Sequence, residues 1–359
     1  GTYNISINNL DYNRSYNWYL NVTEGDFWTN KTFTFTTMSE PGVWWNTSWL
    51  YRKQIVINHE QVVNNLNSFP VLISFSADDE LASYVQSDAD DLVFTDTFGT
   101  QLSHEIEYFE SSTGELVAWV NVTSLSSTVD TVLYMYYGNS ICDNQEDVLG
   151  TWDSNYRLIQ HLDETSGTHL DSSTFGNDGT VFGGVVQDTV GMVDGADGFD
   201  GVDDYIDCGN DQSLNFGNAI TVQAWVKLDS KNDDSRIVSK YSGSAGWIIW
   251  YDVDDDAWEF VARDSVVATA KYTQNNPVIG EWCHVVGLYD GSQVSVIVNG
   301  DTGNIQENLD SIDISPENLF IGNEYIRGLI HGRIDEVRIS NIARNVSGIQ
   351  REYRNQHST

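Results

Sequence analysis

Short runs in which apolar and polar residues alternate recur along the whole chain, and a period of two is the signature of half-buried strands. Near the start it is carried by Tyr3 to Ile7, Ser15 to Val22 and Thr32 to Thr36, after which Pro41-Gly42 marks a turn in a short connector. Strands follow at Trp49 to Ile57, Phe69 to Phe75, Asp91 to Asp96, His104 to Tyr108, Leu116 to Val120 and Thr131 to Asn139. From Tyr156 onward the strands lengthen and Gly/Asp-rich turns separate them: Leu158 to Glu164, Gly198 to Ile206, Ile220 to Lys227, Trp282 to Val286, Val294 to Gly300 and Gly332 to Ile339. This pattern predicts an all-β chain of tandem β-sandwiches. Its divisions are a partial sandwich at 1–37, a linker at 38–47, a small sandwich at 48–142 and a larger one at 151–359.

Length and composition agree. A chain of 359 residues suits two or three modules, each with its own core. Only 4 prolines occur, whereas Gly, Tyr, Trp, Thr, Val and Ile supply what strands and turns need. The net charge of −36, built from 36 Asp and 17 Glu against 6 Lys and 11 Arg, excludes the clustered cations that nucleic-acid binding needs. Three readings of the Asp excess are open: a salt-adapted surface, turn chemistry, and oxygen ligands for calcium. Because 25 of the 36 Asp follow Thr151, the second half is where a metal is sought.

No stretch reaches the roughly 20 apolar residues of a membrane span and no leader pattern opens the chain, which reads as a mature segment. Seven Asn-x-Ser/Thr sequons, at Asn4, Asn13, Asn21, Asn30, Asn46, Asn121 and Asn345, point to an exported, glycosylated surface. Cys142, Cys208 and Cys283 lack the spacing of zinc or iron–sulfur sites and allow one disulfide at most, either none or Cys208–Cys283.

Particular motifs carry resemblances. The Tyr/Trp strand, the Glu24-Gly25-Asp26 turn and the Phe-Thr-Phe-Thr-Thr ending of residues 1–37 resemble the last three strands of a fibronectin type III module. The first strands of such a module are expected to lie outside the chain or to come from a partner. The opening aromatic-Arg strand, Glu105-Ile106-Glu107, Val117-Ala118-Trp119-Val120 and Tyr136-Tyr137-Gly138-Asn139 resemble, in that order, a domain of unknown function (2341) found in archaeal and bacterial surface proteins. The third region carries Asp171-Ser172-Ser173, Gly198-Phe199-Asp200-Gly201, Ala224-Trp225-Val226, Val298-Asn299-Gly300 and Ile334-Asp335-Glu336-Val337. It resembles laminin-G-like domains of the concanavalin A-like lectin/glucanase superfamily, which implies a two-sheet jelly roll closed by a short helix at Val346 to Tyr353.

Chemistry is sought on this frame. Glucanases of the superfamily place paired carboxylates about 5 Å apart on one strand. Glu105 and Glu107 have that alternation, but they lie in the other module without a third acid and read as a solvated or salt-bridged face. His161, His169, His284 and His331 have no nucleophile in context. For calcium, the resemblance implies Asn323 and Glu324 with Asp335 nearby, while Asp163, Asp171, Asp203 and Asp204 form a second group. The alternative for each is a turn Asp bonding its own backbone. The Asp252 to Asp256 run lacks the glycine and distal Glu of an EF-hand.

A glycan needs an exposed aromatic, and Trp247, Trp250 and Trp258 are the candidates; the spacing of Trp247 and Trp250 puts them on opposite sides of a strand, so one points outward. The reading is a non-enzymatic extracellular surface module that recognises a polysaccharide or glycoprotein, with calcium as its cofactor. The alternative is a structural subunit of a surface layer, sheath or fibre whose partners are other copies of itself.

Overall fold

The computed structural model describes residues 15–24, 27–36, 42, 44–264, 266–274, 277–307, 309–323 and 328–357. Strands Ser15–Glu24 and Phe27–Thr36 pair as an antiparallel hairpin with Asn21 opposite Asn30. The strand expected at Tyr3 to Ile7, and the sequons at Asn4 and Asn13, lie outside the described residues.

Residues Tyr51 to Tyr137 form two sheets. One orders strands Tyr51–Ile57, Thr131–Tyr137, Val93–Asp96 and Gln101–Leu102; the other orders Leu66–Phe75, Glu115–Leu125 and His104–Glu110. Alternation puts Leu116, Ala118, Val120 and Val122 inward against Phe94, Leu133 and Met135. The end of the expected linker belongs to this sandwich. Trp49 packs on Val93 and Tyr136, its Nε1 donates to the Asp91 carbonyl at 2.6 Å, and the Arg52 guanidinium lies 5.1 Å from the Trp44 ring centre.

The second sandwich packs an eight-stranded sheet on a seven-stranded one. Strand His331–Ser340 is the hub of the larger sheet. One edge pairs first with Gly195–Asp200 and then with Tyr156–Gln160, and the other pairs with Ile220–Leu228. Inward residues of both sheets, among them Val222, Trp258, Phe260, Val296 and Ile334, make one core. All three cysteines are free thiols, and Cys208 is buried beside Gln160.

The outer face of the eight-stranded sheet is covered twice. Helix Val346–His357, longer than expected by four residues, lays Ile349 on Val286, Leu288 and Ile297 and packs Tyr353 against Trp225. Beside it the three-stranded sheet of the small sandwich docks, so that its outward residues Leu72, Val117 and Trp119 bury against Trp152, Tyr156, Ile159 and Val193. Asn355 ties the edge strand down, accepting from the Leu72 N–H at 2.8 Å and donating to its carbonyl at 3.0 Å.

Inside this junction lies a cluster of charges. His161 Nδ1 is 2.6 Å from Glu336 Oε1 and 3.2 Å from Glu107 Oε2, and its Nε2 is 3.5 Å from Glu105 Oε2. Trp119 Nε1 donates to Glu107 and Trp152 Nε1 donates to Glu105, each at 2.5 Å. Arg338 donates to Glu336 and stacks over both tryptophans, 4.1 Å from Trp119 and 4.6 Å from Trp152. Glu105 is therefore paired with His161, as the salt-bridged branch of the expectation had it, while Glu107 lies against the same imidazole; both side chains are sealed inside the protein and not solvated.

Burial pushes Glu107 up to about 8, with Glu336 adding to the rise and His161 opposing it. Burial would lower His161, but Glu336, Glu107 and Glu105 outweigh it and hold the imidazolium well above its usual range. His169, between Glu164 and Asp197, is likewise raised to about 9 against the pull of its burial. A raised folded-state pKa gives stability that is complete below the unfolded value and lost as pH climbs through the folded one. The windows are 4.5 to about 8 for Glu107 and 6.5 to about 9 for His169. Thermal stability should therefore peak near pH ~5 and fall toward pH ~9. Glu107→Gln, which mimics the protonated acid, should flatten the fall between pH ~5 and ~8 in melting curves across that range; an unchanged slope would show that Glu107 ionises freely in the fold.

Candidate functional site

With one large sheet covered, the outer face of the seven-stranded sheet is the exposed broad surface of the second sandwich. Its order runs Thr180–Phe182, Tyr205–Asp207, Phe320–Ile321, Ser235–Tyr241, Gly246–Asp252, Ala257–Arg263 and Val267–Tyr272. The first three strands are two or three residues long, and on the second and third the residues beside a core-facing apolar side chain point out. Ile206 and Ile321 enter the core, so Tyr205 and Phe320 line the surface.

These aromatics form a continuous platform. Phe182 stacks on Tyr205 with ring centres 4.9 Å apart and planes 13° from parallel, and Phe320 meets Tyr205 edge-on at 5.8 Å. Phe182 is 41% exposed. A depression of about 280 Å³ is lined by Asp203, Tyr205, Asp207, Phe320 and Asn323. A second, of about 480 Å³, is lined by Asp178, Phe182, Asp207, Asp211 and Asn318. Asp207 belongs to both; its two oxygens accept from Asn318 Nδ2 at 2.9 Å, and Oδ1 also accepts from the Gly209 N–H at 2.8 Å. Flat apolar rings ringed by oriented hydrogen-bonding groups suit a ligand with an apolar face and many hydroxyls.

An acidic group adjoins the platform. Asp200, Asp203 and Asp204 each bring one oxygen within 4.8 Å of the others. Asp204 is buried; Oδ2 accepts from the Asp200 N–H at 2.8 Å, while Oδ1 has no hydrogen-bond partner. Burial, with Asp200 and Asp203 beside it, raises its pKa despite that backbone bond. A hard cation with oxygen ligands fits this donor set.

Residues 200–350 match the concanavalin A-like lectin/glucanases superfamily. Residues 88–177 match a second family, a domain of unknown function (DUF2341), and no curated protein matches the chain. Among solved structures the chain is similar to the binding domain of botulinum neurotoxin serotype G, at 15% identity and a TM-score of 0.48, covering 56% of this chain and 51% of that one. It is similar to the serotype D ligand binding domain in complex with N-acetylneuraminic acid, at 14% identity and 0.47, covering 58% and 53%. It is also similar to Domain 4 of AbnA, an extracellular arabinanase from Geobacillus stearothermophilus, in complex with arabinotriose, at 17% and 0.45, covering 55% and 98%. The chain thus spans about half the length of the neurotoxin domains it matches.

The structure gathers Asp203, Asp204 and Asn323 beside this aromatic platform, whereas Glu324 lies outside the described residues. Asp335, a ligand candidate on sequence grounds, is elsewhere. It is buried at the module junction, where Oδ2 accepts from the Met192 and Val193 N–H groups at 2.7 and 2.9 Å. Asp171 bonds the backbone of Ile159, Ser173 and Asn177, the turn role. Asp255 and Asp256 pair with Lys271 and Lys231.

Of the candidate tryptophans, Trp247 and Trp258 are in the core and offer no face to a sugar. Trp250 points outward as the spacing requires, but the Arg236 guanidinium lies 4.1 Å over its ring. Phe182, Tyr205 and Phe320 were invisible as a set, because 138 residues separate the first from the last and only strand pairing joins them. Among the sequons, Asn46 and Asn345 are exposed, Asn21 and Asn30 lie on the hairpin, and the amide nitrogen of Asn121, the atom a glycan would modify, donates to the Gly150 carbonyl at 2.8 Å.

Chemical denaturation should separate these tryptophans: Trp258→Ala is expected to lose about 3–5 kcal/mol, as large core deletions do, and Trp250→Ala only about 1 kcal/mol. Equal losses would contradict the placement.

Proposed function

We propose that the chain is a non-enzymatic, extracellular cell-surface module that recognises a polysaccharide or glycoprotein through the outer end of its seven-stranded sheet. The carrying observation is the Phe182–Tyr205–Phe320 platform between two open depressions lined by carboxylates and amides. Sugar rings stack their C–H faces on aromatic rings, and their hydroxyls pair with groups such as Asp207 and Asn318. The one carboxylate pair with strand alternation, Glu105 and Glu107, is closed inside the module junction, beyond reach of a substrate. The acidic composition and exposed sequons support an exported setting, and among the described residues no helix is long and apolar enough to cross a membrane.

Calcium belongs to the same reading. Asp200, Asp203 and Asp204 would hold it beside the platform, supplying charge to order the 200–204 loop and to compensate the orphaned Asp204 Oδ1.

A glycan array probed with the intact chain should show retention that Tyr205→Ala and Phe320→Ala each reduce at least about tenfold, a loss of about 1.4 kcal/mol, while Trp250→Ala retains it. Absence of any retained glycan, with ordered filaments of the purified chain seen by electron microscopy, would favour the structural-subunit reading instead. For the ion, calcium in excess should raise the melting temperature and Asp204→Asn should remove that rise. Identical melting of both proteins with calcium and with chelator would refute the assignment.

A further inference from the structure

We infer that the platform takes an uncharged, internal stretch of a polysaccharide lying across Asp207, and discriminates against anionic glycans; this rests on the glycan-binding reading above. Two features carry it.

The first is extent. The two depressions meet at Asp207 and each has its own aromatic wall, Phe182 in one and Tyr205 with Phe320 in the other. A single terminal sugar needs one such wall. Two in contact, sharing a hydrogen-bonding carboxylate, accommodate successive units of a chain.

The second is charge. Asp178, Asp203, Asp207 and Asp211 line the trough, in a chain with a net charge of −36. Carboxylates accept hydrogen bonds from sugar hydroxyls and repel uronates, sulfates and sialates. Among the described residues, Lys240 and Arg236 beside the trough are engaged elsewhere. Lys240 is 2% exposed and directs Nζ to Asn210 Oδ1, 2.5 Å away, and to the Glu317 carbonyl at 2.6 Å. Arg236 is paired with Asp234 at 3.0 Å and lies over Trp250.

The test uses the whole chain with two series of soluble ligands in chelator and moderate salt, read by calorimetry or affinity electrophoresis. One series is neutral oligosaccharides of one to six units from arabinan, mannan and β-glucan; the other is polygalacturonate, alginate and a sialylated glycan. At least one neutral series should bind with affinity that rises at least about tenfold from monosaccharide to hexasaccharide, and the anionic ligands should bind at least about tenfold more weakly. Raising salt to about 1 M should narrow that gap, because screening weakens the repulsion. The combined Asp178→Asn, Asp203→Asn and Asp211→Asn variant should narrow it at moderate salt, since three of the carboxylates that repel an anion are then neutral. Anionic ligands binding as tightly as neutral ones, or a monosaccharide matching the hexasaccharide, would overturn the inference while leaving glycan binding in place. Failure of every glycan to bind would remove the glycan-binding reading itself and this inference with it.

Discussion

His161 is held by carboxylates from two modules at once: Glu105 and Glu107 from the small sandwich, and Glu336 from the hub strand of the large one. Charged groups withdrawn from water this completely are tolerated only when each finds a partner, so the two sandwiches must meet in a single geometry to satisfy them. The backbone shows how tightly that geometry is set. Leu162, next to His161, has φ 63°, and Glu336 has φ 54°, both in a region that side chains other than glycine's rarely occupy. At Glu336 the strain is a β-bulge, where the pairing of His331–Ser340 with Ile220–Leu228 shifts register and re-aims the carboxylate at the junction.

Proton placement completes the cluster. Two cations, His161 and Arg338, face Glu105, Glu107, Asp335 and Glu336. Burial raises Glu107 and Asp335 toward their neutral forms, while Glu105 and Glu336, although burial opposes it, are drawn below their ordinary range by His161 and Arg338. Glu105 and Glu336 are thus the acids that His161 and Arg338 favour in their ionised form. Arg338 adds stacking on Trp119 and Trp152, so the apolar and ionic parts of the junction share the same side chains. This junction and the closing helix cover much of the outer face of the eight-stranded sheet, and the aromatic cluster lies on the seven-stranded one.

The strands were legible because half-buried strands must alternate. One overlooked signal lay in Glu115–Leu125. Its residues Leu116 to Val120 are apolar at both parities, which marks a strand covered on both faces; Trp119 accordingly packs against the second sandwich and not in the core of its own. For Trp247 and Trp250 the period of a strand gave opposite faces, but it could not say that Arg236 would cover the outward ring. The site aromatics escaped entirely. Phe182, Tyr205 and Phe320 sit on strands too short to show a period, and their adjacency is a property of sheet order.

The family match over 88–177 extends past the small sandwich, through Trp152 and His161, into the loop at Asp171 to Asn177. That loop connects the junction to the trough. Ser172 Oγ donates to Glu105 of the small sandwich; Asp171 accepts from the N–H of Ile159 in the junction and from that of Asn177; and Asn177 Nδ2 donates to the Arg157 carbonyl at 2.7 Å. Asn177 and Asp178 in turn line the larger depression. One wall of that depression is thus positioned by hydrogen bonds that begin on the neighbouring module. The hydrogen bonds that set this wall run through the docked junction, which couples the small sandwich to the larger depression.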